Sequence, residues 1–405
     1  MTIDLMHKPE VQVLIEKTRL FTRGTVLPVE DAHGGDIDAA GGDLIRLELQ
    51  DAARVAGVFA PHAPMEYGGL GLDMVDRSPV FEEAGYSLFG PTALNIAAPD
   101  EGNVHMLAHV ANPEQKERFL APLAQGHLRS AFAMTEPAPG AGSDPSALTT
   151  RAAKVTGGWK LNGHKWFITG ADGAGIFIIM ARTSGEPGNR GGATMFLALA
   201  DTPGLQVGRH IGTLDRAMIG GHCEVLLEDV FVPDSGVLGE VAQGFAYAQV
   251  RLGPARMTHV MRWLGAARRG HDIAVAHVAQ REGFGGKLGD LGMIQAMVAD
   301  NEIDIAATRA LLTQACWELD QGRTASNATA IAKTFAGEAV FRIVDRAVQM
   351  CGGLGVSDDL PLARLSREVR PFRVYDGPSE VHRWAIAKRV ISTAKKTARA
   401  AEPGA

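Results

Sequence analysis

The stretch Arg373-Val374-Tyr375-Asp376-Gly377-Pro378-Ser379-Glu380-Val381-His382-Arg383 sets a lone carboxylate, Asp376, on a tight Gly-Pro turn that launches an amphipathic helix. A carboxylate so placed can take a proton from a bound molecule. By itself the stretch also reads as a well-capped helix start. Gly377 serves as N-cap, Pro378 fits the first helical position, and Glu380 stands where a capping glutamate belongs. Company favours the chemical reading. Far upstream lies Phe132-Ala133-Met134-Thr135-Glu136-Pro137-Ala138-Pro139-Gly140-Ala141-Gly142-Ser143-Asp144. Its small residues let the backbone approach a ligand and offer it N–H groups. His164-Lys165-Trp166-Phe167-Ile168-Thr169-Gly170 places two aromatics beside a threonine hydroxyl. Arg281-Glu282-Gly283-Phe284-Gly285-Gly286 carries a guanidinium, whose fork of donors suits a phosphate pair. Gln349-Met350-Cys351-Gly352-Gly353-Leu354-Gly355 is a glycine loop with no strand before it, which counts against a nicotinamide-binding fingerprint.

The bulk composition narrows the setting. At 405 residues the chain exceeds what one hydrophobic core usually supports, so two or three structural units are expected. Apolar residues make up 46% and charged residues 21%, as in ordinary globular proteins. A net charge of −6 speaks against a nucleic-acid partner, which needs clustered Lys and Arg. Cys223, Cys316 and Cys351 are odd in number and far apart, so neither a disulfide framework nor a zinc cluster is expected, and no metal is assigned. The first residues lack a basic, then apolar, leader pattern, and no stretch approaches the roughly 20 apolar residues that cross a bilayer. A cytoplasmic protein without a membrane partner is the expectation.

Three zones must position these groups. To about residue 128 the pattern is helical, and Asn112-Pro113 marks a helix start with proline at the first position. Between about 130 and 240, Ile176–Met180, Thr194–Leu199 and Glu224–Leu227 read as short strands bounded by turn residues. With no helices between them, an antiparallel barrel or sandwich is predicted. Beyond about 243 the helical period returns: Met257, Val260, Met261 and Leu264 form one apolar stripe.

Taken in order, these stretches resemble the acyl-CoA dehydrogenases, from Glu66-Tyr67-Gly68-Gly69-Leu70-Gly71-Leu72-Asp73 to Ile386-Ala387-Lys388. The resemblance implies an α+β chain: an N-terminal helical domain (residues 1–128), a middle antiparallel β-barrel domain (129–240) and a C-terminal four-helix bundle (241–400). It implies FAD as cofactor and Asp376 as the base that removes the α-proton of an acyl thioester. The family usually has glutamate there, one methylene longer. Ala98-Pro99-Asp100-Glu101-Gly102-Asn103, Arg251-Leu252-Gly253-Pro254 and Asp376-Gly377-Pro378 look like the branch of family members ten and eleven, where aspartate is usual.

The flavin contacts implied by the resemblance begin with Phe132, Met134, Thr135, Gly142 and Ser143. In the family this loop runs straight from Thr-Glu-Pro into Gly-Ala-Gly-Ser-Asp, so Ala138-Pro139 is an insertion. Phe167 packs on the flavin ring, where tryptophan is common, and Thr169 bonds to its edge. Trp166 is expected on the opposite face of the strand. Arg281, Phe284 and Leu288 belong to an element that reaches a neighbouring subunit's FAD. Gln349, Gly352 and Gly353 belong to the adenine and pyrophosphate region, and Pro378 and Glu380 complete the set. Implied substrate contacts are Ser143, Arg256, Tyr375 and Gly377, with Asp100 and Asn103 along the acyl tunnel. Some relatives carry their base just before the arginine. Pro254 and Ala255 hold that place here, so no carboxylate competes with Asp376.

The implied reaction is α,β-desaturation of an acyl-CoA, with a β-hydride passing to flavin N5. The flavin ribityl hydroxyl and the backbone N–H of the base residue would stabilise the enolate oxygen. Exclusion of water would raise the carboxylate's pKa, against a smaller opposing effect of the helix N-terminus. The implied partners are an electron-transfer flavoprotein and further copies of the chain, as tetramer or dimer. The alternatives are a flavin oxidase of the same fold acting on a non-CoA substrate such as a nitroalkane, and a non-catalytic flavin-binding protein.

Overall fold

The computed structural model describes residues 7–189 and 191–401. Residues 1–6, on which the expectation of no leader rests, lie outside the described residues. The described residues form two compact units, 7–255 and 256–401.

The first unit opens with helices whose ends are set by local chemistry. Asp73 caps Met74–Gly85 by accepting from the Asp76 N–H at 2.8 Å. Asn112 and Gln115 form a reciprocal capping box around Pro113, as the Asn-Pro signal predicts. The chain then enters a sheet of eight strands. They are β1 (Ser130–Ala133), β2 (Arg151–Val155), β3 (Gly158–Thr169), β4 (Ile176–Arg182), β5 (Ala193–Leu199), β6 (Leu205–His210), β7 (His222–Pro233) and β8 (Val237–Leu238). The order is β6-β7-β3-β2-β4-β5-β8, with β1 beside β4. Pairings are antiparallel except β1–β4 and β2–β4, which are parallel.

Every residue of β4 is buried, which explains its unbroken apolar run Ile176–Ala181. Trp159, Leu161, Phe177, Phe196, Val225 and Val232 meet in the core of this sheet. A two-residue turn with Gly157 at φ +76° joins β2 to β3 and fixes their register.

The second unit is helical. It takes the Gly244–Gln280 helix from Arg256 onward, then Gly292–Asp320, Ser326–Cys351, Leu362–Val369 and Ser379–Ala401. The stripe Met257, Val260, Met261 and Leu264 is fully buried, as its spacing predicts. Asp304 clamps two of the long helices by accepting from Arg342 at 2.6 Å and Arg346 at 2.8 Å. Helix Gly244–Gln280 is followed by a hairpin, β9 (Glu282–Gly283) and β10 (Gly286–Lys287). Its two turn residues, Phe284 and Gly285, both have positive φ, +53° and +84°, the signature of a type I′ turn. Phe284 is 93% exposed at the tip. Among the described residues no helix is long and apolar enough to cross a membrane.

Candidate active site

In the second unit the site is built around Asp376. The final helix begins at Ser379, and the His382 N–H bonds to the Pro378 carbonyl at 3.2 Å. Pro378, not Gly377, is therefore the capping position. Gly377 is needed one step earlier, because φ +96° there would strain any other residue. Asp376 itself is left-handed at φ +53°, a conformation that aspartate tolerates better than most.

Three side chains hold this turn by its carbonyls. Arg256 Nε donates to the Asp376 carbonyl at 2.9 Å, and His382 Nε2 donates to the same oxygen at 3.2 Å. Lys333 Nζ donates to the Gly377 carbonyl at 2.7 Å, with its ammonium 5.2 Å from the Phe372 ring centre. The Asp376 carboxylate lies 3.4 Å from His259 Nε2. His259, Phe372 and Tyr375 stack as a group, and Trp263 donates to the Tyr375 hydroxyl.

Burial dominates the ionisation of this shell. It pushes Lys333 down to about 8, against the opposing charge of Asp376. It pushes His382 down to about 4, helped by the Arg256 charge, so at neutral pH the ring is uncharged and serves as a plain donor. Arg256 is also lowered by burial, with Asp376 again opposing.

A Cβ at Gly377 would stand 2.7 Å from His382 Nε2. Gly377→Ala therefore combines left-handed strain with a clash against the ring that fixes Asp376. It is expected to cost about 1 kcal/mol or more of stability and to slow the reaction. A thermal melt and a turnover assay check this; an unchanged melt would show that the turn is softer than its bonding implies.

In the first unit two stretches are bonded to one another. Thr135 Oγ1 donates to the Trp166 carbonyl at 2.6 Å, and the Trp166 N–H returns a bond to Thr135 O at 3.1 Å. Beneath them Lys165 and Glu136 form a fully buried ion pair at 2.8 Å. Lys165 also donates to Met134 O and Met180 O. The inserted Ala138-Pro139 is absorbed in a turn, since the Glu136 N–H reaches Ala141 O at 2.7 Å and Gly140 N–H reaches Pro137 O at 2.8 Å. Gly142 and Ser143 follow it as exposed residues.

Trp166 and Phe167 do not face opposite sides. A bulge shifts the β3–β7 register between Lys165 and Ile168, and Phe167 takes φ +52°. This breaks the strand alternation. The two rings meet edge-on at 4.9 Å, and Phe167 is 44% exposed.

Asp100 and Asn103 are buried and bonded to Ser130: Asp100 accepts its N–H and hydroxyl, and Asn103 donates to its oxygen. Arg251 donates to Asn103 Oδ1 at 2.7 Å and lies over the Phe132 ring. Arg281 is exposed and Leu288 half-buried at the hairpin, and Gln349, Gly352 and Gly353 are exposed at a helix C-terminus.

Lys165, Lys333, His259 and His382 were not among the residues predicted from sequence.

The bulged strand of the first unit, with aromatics beside a threonine, and the carboxylate on a helical turn of the second belong to a chain that comparison with known proteins places among flavin-dependent oxidoreductases acting on CH–CH groups. Three family models match: "Acyl-CoA dehydrogenase, N-terminal domain" over residues 8–127, the middle domain over 131–230 and the C-terminal domain over 242–391. The chain belongs to the acyl-CoA dehydrogenase family.

It is 39% identical to the "Probable acyl-CoA dehydrogenase FadE2" of Mycobacterium tuberculosis over 359 residues, 87% of each chain. It is 33% identical to mouse acyl-CoA dehydrogenase family member 10 over 98% of its own length, but spans only 38% of that protein. Of chicken member 11, also 33% identical, it spans 51%. Butyryl-CoA dehydrogenase from Megasphaera elsdenii superposes with a TM-score of 0.85 at 28% identity, over 96% of this chain and 100% of that one.

FAD is the cofactor, as in FAD-bound structures of this fold. The residues present fit it. Gly142, Gly352 and Gly353 leave open space where a Cβ would stand, and Phe167 and Phe284 offer exposed rings on strained backbone.

Proposed function

We propose that this enzyme introduces an α,β double bond into an acyl-CoA thioester, with Asp376 as the base for the α-proton. The observation that carries this is the support of the Asp376 turn, whose two carbonyls are held by Arg256, His382 and Lys333. A base must be fixed within a fraction of an ångström to act on so weak an acid, and the bonds to the carbonyls of residues 376 and 377 fix it so. The Asp376 N–H stabilises the negative charge that develops on the thioester oxygen. Tyr375 and Gly377 border the reacting carbons, and Asp100 and Asn103 line the acyl path. Ser143 and Arg256 belong to the thioester end, with Arg256 acting through the turn it holds.

When bound, FAD supplies the acceptor for the β-hydride. Phe132, Met134, Thr135, Gly142, Ser143, Phe167 and Thr169 would contact the flavin. Gln349, Gly352 and Gly353 would serve the adenine and pyrophosphate region, and Pro378 and Glu380 complete the set. Arg281, Phe284 and Leu288 serve a neighbouring copy of the chain in a tetramer, for which the exposed Phe284 at a hairpin tip speaks. The division into residues 1–128, 129–240 and 241–400, an electron-transfer flavoprotein as acceptor, a cytoplasmic location and a place in β-oxidation complete the reading.

Anaerobic titration of the yellow protein with acyl-CoAs of graded length and branching tests it. Bleaching of the visible flavin band by one class is the expected result and identifies the substrate class. A flavin that no acyl-CoA bleaches would overturn the reading and point to a non-CoA substrate, with nitroalkanes next.

A further inference from the structure

We propose that His222 and Asp215 are positioning residues that orient the Thr169 hydroxyl, turning its proton toward the imidazole and its lone pairs toward the flavin edge. The proposal rests on the reading that Thr169 meets that edge.

Thr169 ends β3 and His222 opens β7, and the two stand directly opposite in the ladder. Side chains of such pairs are near neighbours. Thr169 Oγ1 lies 2.9 Å from His222 Nδ1, and His222 Nε2 lies 2.9 Å from Asp215 Oδ2. Bonds from the Gly170 N–H to Gly221 O at 2.8 Å and from the Ile211 N–H to His222 O at 2.7 Å fix the backbone on either side. The three side chains therefore form a short chain, hydroxyl to imidazole to carboxylate.

The direction of each bond follows from what each atom can do. Burial raises the Asp215 carboxyl, but its contact with His222, the hydrogen bond first, outweighs it, so the group is held below its ordinary value and is ionised at neutral pH. An ionised carboxylate only accepts, so Nε2 carries the proton. In the neutral ring that the relay requires, Nδ1 is bare and can only accept. Thr169 has one proton and gives it to Nδ1.

What remains on the Thr169 oxygen is an acceptor. Reduced flavin carries an N–H at its edge that oxidised flavin lacks, so an acceptor there favours the reduced form. The relay thus draws the desaturation forward without touching substrate. Neither His222 nor Asp215 lies in the stretches whose types suggested chemistry, and their connection to Thr169 exists only through the β3–β7 register.

The experiment is the midpoint potential of bound FAD in the parent, Asp215→Asn, Thr169→Val and the double variant, with the 15N shifts of His222 in the parent holoenzyme. An asparagine amide can donate to Nε2, which reverses the ring and lets Thr169 donate to the flavin. Asp215→Asn should therefore shift the reduced-to-oxidised ratio roughly tenfold toward oxidised, about 30 mV for a two-electron couple. In the Thr169→Val background it should add nothing. Removing the carboxylate's negative charge alone would move the potential the other way, so a rise in potential, or an equal shift with and without Thr169, overturns the relay. If Thr169→Val leaves the potential unchanged, the flavin contact beneath the proposal fails instead. The His222 shifts decide the relay independently: a proton on Nε2 alone supports it, and one on Nδ1, alone or together with Nε2, overturns it even if the variants do not hold FAD.

Discussion

Asp376→Asn should bind FAD as the parent does and be bleached by an acyl-CoA roughly 10²- to 10⁴-fold more slowly, the usual worth of a positioned general base. The substitution is unusually clean at this position. Residue 376 sits at φ +53°, where asparagine is as comfortable as aspartate. Arg256 and His382 bond to its backbone carbonyl and Lys333 to that of Gly377, so all three contacts survive the change. The amide keeps the size of the carboxylate beside His259 but cannot take a proton, and the negative charge that opposes the burial of Lys333 and Arg256 goes with it. Asp376→Ala would confound the result by adding strain to the left-handed turn. Stopped-flow reduction with the acyl-CoA that bleaches the parent is the measurement. A parental rate of bleaching in the asparagine variant would exclude Asp376 as the base.

The order of zones was legible because its signals are local. The Asn112-Pro113 cap, the Met257–Leu264 stripe and the apolar run at Ile176 depend only on near neighbours in sequence. Asp376 stood out for the same reason, as part of one contiguous stretch. What surrounds it did not. Lys333 comes from another helix, and His259 from a third, and neither helix shows from its own sequence that it meets the Asp376 turn. The same limit explains Trp166 and Phe167. Alternation puts them on opposite faces, and only the bulge opposite β7 brings the rings together. Thr169 was assigned from its motif, whereas its partner His222 is visible only once strands are paired. The inserted Ala138-Pro139 lies in a turn that Glu136 ties from beneath, its carboxylate accepting from the Ala141 N–H.

Glu136 also underlies the largest expected loss of stability. Its carboxylate accepts from Lys165 at 2.8 Å, from the Thr149 N–H and hydroxyl at 2.7 and 2.6 Å, and from the Thr150 N–H at 2.9 Å. Glu136→Gln keeps the shape but leaves the Lys165 ammonium buried without its counter-charge, and breaking one side of a buried pair costs about 3–5 kcal/mol. In a unit of this size that lowers the melting temperature by roughly 10 °C. FAD should be released with it, because the pair fixes the backbone of Met134 and Thr135.

The pH dependence separates this charge effect from packing. Burial alone would raise the Glu136 carboxyl, but Lys165 and the threonine donors outweigh it and hold it at about 2, below its ordinary 4.5. Its contribution is therefore complete above pH 4.5 and is lost as pH falls from there toward 2. Lys165 is pushed by burial down to about 8 from 10.5, so between these values the unfolded chain binds the proton that the folded one releases, and stability rises with pH across that window. With glutamine at 136 the acid-side loss from this group should vanish, and the alkaline window should widen downward because nothing opposes the burial of the ammonium. Melts followed by flavin fluorescence from pH 3 to 10 read both slopes. A Glu136→Gln protein that melts within about 1 kcal/mol of the parent at pH 7, with the same acid slope, would show that the pair contributes little and that the loop is held by its neutral hydrogen bonds.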